Sequence, residues 1–208
     1  MITTPKRCLL GYQADLGGVV LGQLRFLEPA EVEKLLAVPN LRSMTGLRNR
    51  VVCQLQWETG MRISEALDLR VRDVIVGEKQ VTVQRGKGNK TRVVYWRSAE
   101  LTMLLERWKK RRPKSEFLFP TIRSATGKGK RIEPRQYRLQ FDRYVRKAGL
   151  PDWTTTHVLR HSFATKFLRD GGNVRTLQII LGHSSLAVTA KYLHVTSEDV
   201  KLAMRGVA

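Results

Sequence analysis

The sequence predicts a mainly α fold carrying one small three-stranded antiparallel β-sheet. Three observations predict it. Apolar residues recur at helical spacing through the first third of the chain and again through the last. Between Val74 and Trp96 the period shortens to two, in short runs rich in valine and threonine. No repeat, low-complexity stretch or shift of composition marks a second folded unit among the 208 residues. The expected organisation is an N-terminal arm over 1–25, flexible or loosely docked, and one domain over 26–208.

Taken in order, Pro29 suits the first turn of a helix whose Val32, Leu35 and Leu36 share a face. Leu47, Val51 and Leu55, at i, i+4 and i+8, predict a second helix over 47–58, and Gly60 stops it. Ile63, Ala66 and Leu67 mark a short third. Strands are expected at 74–76, 80–85 and 91–96. The turn GKGNK at 86–90 joins the last two and carries lysines at its tip. Helix returns over 98–110, and 111–132 is loop-like, with a basic glycine stretch, TGKGKR. After Pro134 a helix places Tyr137, Phe141, Tyr144, Val145 and Ala148 on one side and ends at Gly149. Over 156–169, Leu159, Phe163 and Phe167 repeat at i+4, and Gly171 and Gly172 close that helix. Val174, Leu177 and Leu181 form a short helix that ends at Gly182. Ser184 or Ser185 then caps a last helix that includes Tyr192.

The charge is far from balanced. Lys and Arg number 38 against 18 Asp and Glu, a net charge of +20 with a pI near 10.7. A compact fold with that excess repels itself, so an anionic partner is expected, and nucleic acid leads because phosphate neutralisation releases counterions. A membrane surface fits less well, since no dominant basic amphipathic helix is present. No stretch approaches the roughly 18 apolar residues of a membrane span. Lys6 and Arg7 precede Asp15 and three glycines, a poor signal peptide. Cys8 and Cys53 form no metal or disulfide framework and fit free thiols in a reducing cytoplasm, Cys53 buried.

Four stretches carry chemistry. In TGMRISEALDLR, Arg62 follows a glycine stop and Glu65 lies one turn on, placed to orient it. The hairpin tip offers Lys87 and Lys90. In THVLRHSFAT, His157, Arg160, His161 and Ala164 share one helix face, while Leu159, Phe163 and Phe167 share another that the helix is expected to bury. Arg forks onto phosphate oxygens and His moves protons near neutral pH. In LGHSSLAVTAKYLHV, Leu186, Thr189, Ala190 and Leu193 form a stripe that Tyr192 leaves by roughly 100°. Val188, Tyr192 and Val195 make a second, weaker line. Spacing alone therefore leaves Tyr192 open between a packed aromatic, which period favours, and a reactive hydroxyl. Together these residues form a kit for phosphoryl transfer that needs no metal. The sequence shows no carboxylate cluster for two-metal catalysis and no Walker loop.

In this order and spacing, TGMRISEALDLR, GKGNKTRVV, HVLRHSFAT and LGHSSLAVTAKYLHV resemble the tyrosine recombinase (phage integrase) family over about residues 27–200. The resemblance implies the catalytic-domain fold of that family and a site-specific DNA recombinase without metal or nucleotide cofactor. Arg62 matches its first catalytic arginine and Glu65 the acidic residue supporting it. Lys87 matches the hairpin lysine that protonates the 5′-oxygen, with Lys90 the alternative. His157 and Arg160 match the His-x-x-Arg pair, His183 the later histidine and Tyr192 the nucleophile that forms a 3′-phosphotyrosine. His161 is expected to support the site. Phosphate contacts are expected from Lys90, Arg92, Lys128, Lys130 and Arg131.

The implied partners are double-stranded DNA with specific recombination sites, further copies in a tetramer on DNA, and an accessory DNA-bending protein in some systems. Residues 196–208 are the segment expected to pass to a neighbouring subunit. The implied location is the cytoplasm, at the nucleoid or from a mobile element. Many members carry an N-terminal DNA-binding domain; residues 1–25 are too short for one, so either a short form or a catalytic fragment of a longer protein is expected. Two other readings use the same residues: a type IB topoisomerase-like nicking and resealing enzyme, and a catalytically silent DNA-binding accessory protein.

Overall fold

The computed structural model describes residues 24–84, 91–122 and 129–192. Eight α-helices, one 3-10 turn (Val71–Asp73) and three strands occur in them: α1 (Pro29–Ala37), α2 (Met44–Thr59), α3 (Ile63–Asp68), β1 (Val74–Ile75), β2 (Gln80–Val83), β3 (Arg92–Tyr95), α4 (Ala99–Arg111), α5 (Pro134–Lys147), α6 (Thr156–Arg169), α7 (Val174–Leu181) and α8 (Leu186–Ala190). The sheet is antiparallel in the order β1-β2-β3, with Val74 opposite Val81 and Val81 opposite Val94. These three valines are buried and form the inner face, and Ile75, Val93 and Tyr95 point outward.

Helix α2 lies at the centre, packed against α4 and α6. It begins three residues before its apolar period does, because the Ser43 hydroxyl caps it by accepting from the Gly46 N–H at 3.0 Å. Burial on this helix is not confined to the Leu47, Val51 and Leu55 stripe. Arg48, Asn49, Arg50, Gln54 and Gln56 are buried together with Leu47, Val51 and Leu55. Buried polar groups need partners. Arg48 donates to the Pro120 carbonyl at 3.0 Å, Asn49 to the Tyr144 hydroxyl at 3.0 Å, and Arg50 pairs with Glu100 at 2.5 Å. Cys53 is buried as a free thiol beside the Tyr137 hydroxyl.

A main core gathers α1 to α5 and the sheet. A second, smaller core joins Ala164 and Leu168 of α6, Leu177 and Leu181 of α7, and Tyr192. Leu24 packs on it, and the Leu27 N–H donates to the Ser162 hydroxyl at 2.8 Å, so the chain just before α1 is docked on α6.

Two expectations are corrected. First, α6 buries its aromatic side only in part. Leu159 is fully buried, but Phe163 and Phe167 are half-buried against the second core, whereas Arg160 is only 4% exposed because it reaches carbonyls at the ends of α2 and α7. Second, Tyr192 is not inside the last helix. The Ser185 hydroxyl caps α8, which stops at Ala190. The Tyr192 N–H bonds to the carbonyl of Thr189, three residues back, instead of making the four-residue bond of a continued helix.

Candidate active site

The site lies where the ends of α2 and α7 meet the buried side of α6. Both α2 and α7 end on a glycine in the left-handed region, Gly60 at φ 64° and Gly182 at φ 65°. Each such stop leaves a carbonyl at the negative end of a helix dipole. Arg160 uses both. Its Nη1 donates to the Gly60 carbonyl at 2.8 Å and its Nη2 to the Leu181 carbonyl at 2.8 Å. The guanidinium is thus held by two helix C-termini. Burial, then the nearby Arg62 charge, lowers it to about 10, so it stays protonated at neutral pH.

His183 follows the second glycine. Its Nε2 lies 3.0 Å from Arg160 Nη2 and its Nδ1 2.9 Å from the Thr189 hydroxyl. Arginine only donates. His183 Nε2 must therefore accept, its proton sits on Nδ1, and Thr189 accepts that proton. Burial, then Arg160 and Arg62, lowers His183 to about 4 and keeps it neutral.

Arg62 stands at the start of α3. Glu65 accepts from the Arg62 backbone N–H at 2.8 Å and from its Nη1 at 3.0 Å. The same carboxylate takes two bonds from Arg92, at 3.0 and 2.7 Å, and Arg92 Nε donates to the Ile180 carbonyl at 2.7 Å. Burial alone would raise Glu65. The hydrogen bonds and charge of Arg92, then the backbone N–H and charge of Arg62, outweigh it and hold the carboxyl below its usual range.

Tyr192 is fully buried, and its hydroxyl lies 2.8 Å from His161 Nδ1. The Lys191 ammonium sits 5.1 Å from its ring centre. Burial pushes the phenol up to about 12, against the opposing pull of Arg160 and Arg62. His161 is lowered to about 4 by burial, then by Lys191, His157 and Arg160. His157 is exposed at the first turn of α6; the desolvation it has, then Arg138 and Arg160, lowers it.

The structure thus brings together Arg62, Glu65, Arg160, His161, His183 and Tyr192, with His157 at the rim. Lys87, Lys90 and Lys128 lie outside the described residues. Lys130 is exposed, and Arg131 is paired with Asp68 and, at 3.5 Å, with Glu133. Arg92, expected to meet DNA, is instead committed to Glu65, with a side chain 8% exposed. Thr189 went unrecognised in the sequence, where its helix position suggested only packing. Among the described residues, no group of three or more His, Cys, Asp or Glu side chains could hold a metal ion. No described helix is long and apolar enough to cross a membrane.

Comparison with known proteins gives the same picture. The sequence profile of the phage integrase family matches residues 25–199. Tyrosine recombinase XerC of Myxococcus xanthus is 35% identical over 185 residues, covering 85% of this chain, which spans 60% of that relative's length. The XerH site-specific recombinase bound to palindromic difH substrate, in a post-cleavage complex, superposes with a TM-score of 0.72 at 28% identity. That match covers 87% of this chain and 52% of that one. The catalytic domain of bacteriophage HP1 integrase superposes with a TM-score of 0.60 at 30% identity, over 88% of this chain and 95% of that domain. The fold expected from the four stretches is the fold observed.

Proposed function

The chain belongs to the phage integrase family, and from that premise we propose that it is a site-specific DNA recombinase that breaks and rejoins strands through Tyr192. The observation that carries this reading is the placement of Tyr192 with Arg62 and Arg160, whose charges both act on its hydroxyl. A phenol held among fixed cations suits attack on a phosphodiester.

In this reading the Tyr192 oxygen attacks the phosphorus. The bond to the 5′-oxygen breaks, and a 3′-phosphotyrosine keeps the bond energy for rejoining. Arg62 and Arg160 stabilise the non-bridging oxygens. Glu65 engages one side-chain N–H of Arg62, which leaves most of its fork for phosphate. His183 adds a contact only once a phosphate oxygen takes its place on Arg160 and Nε2 gains a proton to donate. Lys87, with Lys90 as the alternative, protonates the leaving 5′-oxygen. A 5′-hydroxyl from a second duplex reverses the step.

DNA is held over the rim by His157 and the exposed cations Arg135, Arg138, Arg143 and Arg146 of α5. Lys130 and Arg131 extend that surface, and Lys128, outside the described residues, is expected to contact phosphate as well. The active form on two sites is a tetramer in which residues 196–208 dock on a neighbour, and an accessory DNA-bending protein assists where the sites require it. The reaction takes place on DNA in the cytoplasm.

The test is covalent trapping on a nicked duplex library of randomised sequence, followed by mapping of the modified peptide. The expected result is a denaturant-stable adduct on Tyr192, absent from Tyr192→Phe while DNA binding stays within a few-fold. Undiminished adduct formation by Tyr192→Phe would overturn the assignment.

A further inference from the structure

Among the described residues, three histidines stand near Tyr192, and their hydrogen bonds separate them. The only lone pair of His183 faces Arg160. Among the described residues, no hydrogen bond joins His157 to Tyr192. The His161 ring is tilted 49° to the phenol, with its Nδ1 2.8 Å from the hydroxyl. A phenol hydroxyl both donates and accepts, so the direction of this bond follows the imidazole tautomer. With the His161 proton on Nε2, the Tyr192 hydroxyl donates to a lone pair at Nδ1, and a base at this position requires that tautomer.

We propose that His161 is the base of the covalent step, taking the Tyr192 proton at Nδ1 as the phenol oxygen attacks phosphorus. The proposal rests on the reading of Tyr192 as nucleophile. The O–H bond of Tyr192 breaks and the N–H bond of an imidazolium forms. The oxygen–phosphorus bond forms as the bond to the 5′-oxygen breaks, and that oxygen takes its proton from the hairpin lysine. On rejoining, the Nδ1 proton returns to the phenol oxygen.

The surroundings serve this role. Burial first, then Lys191, from the turn after α8, and His157 and Arg160, from α6 itself, keep His161 neutral in the free protein. A bound phosphate places negative charge among those same cations. Their repulsion toward a proton on His161 then falls, and its basicity rises at the moment the phenol must lose its proton.

The experiment measures single-turnover adduct formation on a trapped nicked site, with protein in saturating excess, from pH 6 to 9 (assay conditions). For wild type the rate should be nearly flat, since His161 is already neutral and the phenol is not ionised. His161→Ala should lose about 10²–10⁴-fold at pH 7, the usual contribution of a positioned base. Its remaining rate should climb about tenfold per pH unit as hydroxide takes over, and added imidazole should restore part of the loss. A variant rate that runs parallel to wild type with pH overturns the proposal, as does an unchanged rate.

Should His161→Ala not fold, nitrogen-15 spectra of the wild-type imidazoles decide the matter. A proton on Nε2 and a Nδ1 resonance displaced by Tyr192→Phe are expected. A proton on Nδ1 refutes the role. Adducts formed by Tyr192→Phe would sink the nucleophile itself, whereas adducts mapped to Tyr192 with parallel pH profiles would remove only His161.

Discussion

Glu65→Gln tests the buried charge network that holds the first arginine of the site. The carboxylate is 8% exposed and takes three side-chain bonds, one from Arg62 and two from Arg92. Glutamine keeps the shape, removes the charge and turns an amide N–H₂ toward guanidinium groups that can only donate. Removing one partner of a buried pair costs about 3–5 kcal/mol. Arg62 is 26% exposed and partly screened, while Arg92 is 8% exposed and is not, so the lower end, about 3 kcal/mol, is expected.

For a domain of this size, about 3 kcal/mol corresponds to a fall in Tm of about 6–12 °C. Urea titration followed by tryptophan fluorescence measures the loss. Asp68→Asn, which breaks the exposed pair with Arg131, is the control and should cost less than about 1 kcal/mol.

The pH dependence has a definite sign. The folded carboxyl lies below its unfolded value, so its stabilisation is complete above about pH 4.3 and is lost as pH falls through the folded pKa. The gap between wild type and Glu65→Gln should therefore be constant from neutral pH down to about pH 5 and close in acid. A gap under about 1 kcal/mol at pH 7, or one that persists unchanged into acid, would refute the reasoning.

Other perturbations reach the same site from different sides. Gly60→Ala forces a side chain onto a backbone at φ 64° and sets a Cβ 2.3 Å from Phe163 Cδ1. A loss of about 2–5 kcal/mol in urea unfolding is expected, together with slower adduct formation as the Gly60 carbonyl shifts under Arg160. Thr189→Val removes the acceptor for the His183 Nδ1 proton at almost constant volume. A cost of about 1–3 kcal/mol and a change of His183 tautomer, seen in nitrogen-15 spectra, are expected. DNA affinity, measured by anisotropy, should fall about 10³–10⁵-fold between 50 and 200 mM salt if 6–10 phosphates are engaged. A flat salt response would contradict a phosphate-dominated interface.

What the sequence made legible was local. The glycine stops at 60, 149 and 182 each adopt the left-handed conformation that ends a helix, and the bounds of α6 match their apolar period and glycine pair. The four stretches of the site were legible because residue types recur there in a fixed order. Pairing was not legible. Arg92 sits in a strand run where alternate residues face out, so nothing nearby shows that it reaches Glu65, 27 positions away, and the carbonyl of Ile180, 88 positions away. Arg160 meets Gly60 across 100 positions. The burial of Arg48 and Arg50 in α2 was hidden for the same reason. Their partners, Pro120 and Glu100, come from segments that only tertiary packing brings near.

The two readings of Tyr192, packed aromatic and reactive hydroxyl, turn out to describe different parts of one side chain. The ring belongs to the second core with Ala164, Leu168, Leu177 and Leu181, and only the hydroxyl enters the charged site. The ring's packing fixes where the oxygen stands. The same burial raises its pKa to about 12, so the attacking group waits as a neutral phenol and needs a proton acceptor at the moment of attack. The cations that would favour a phenolate must themselves be held in a poorly hydrated place. Arg160 is held there by carbonyls at the ends of α2 and α7, and Arg62 by Glu65. Helix stops that looked like punctuation in the sequence thus supply the negative ends that keep a buried guanidinium beside the tyrosine.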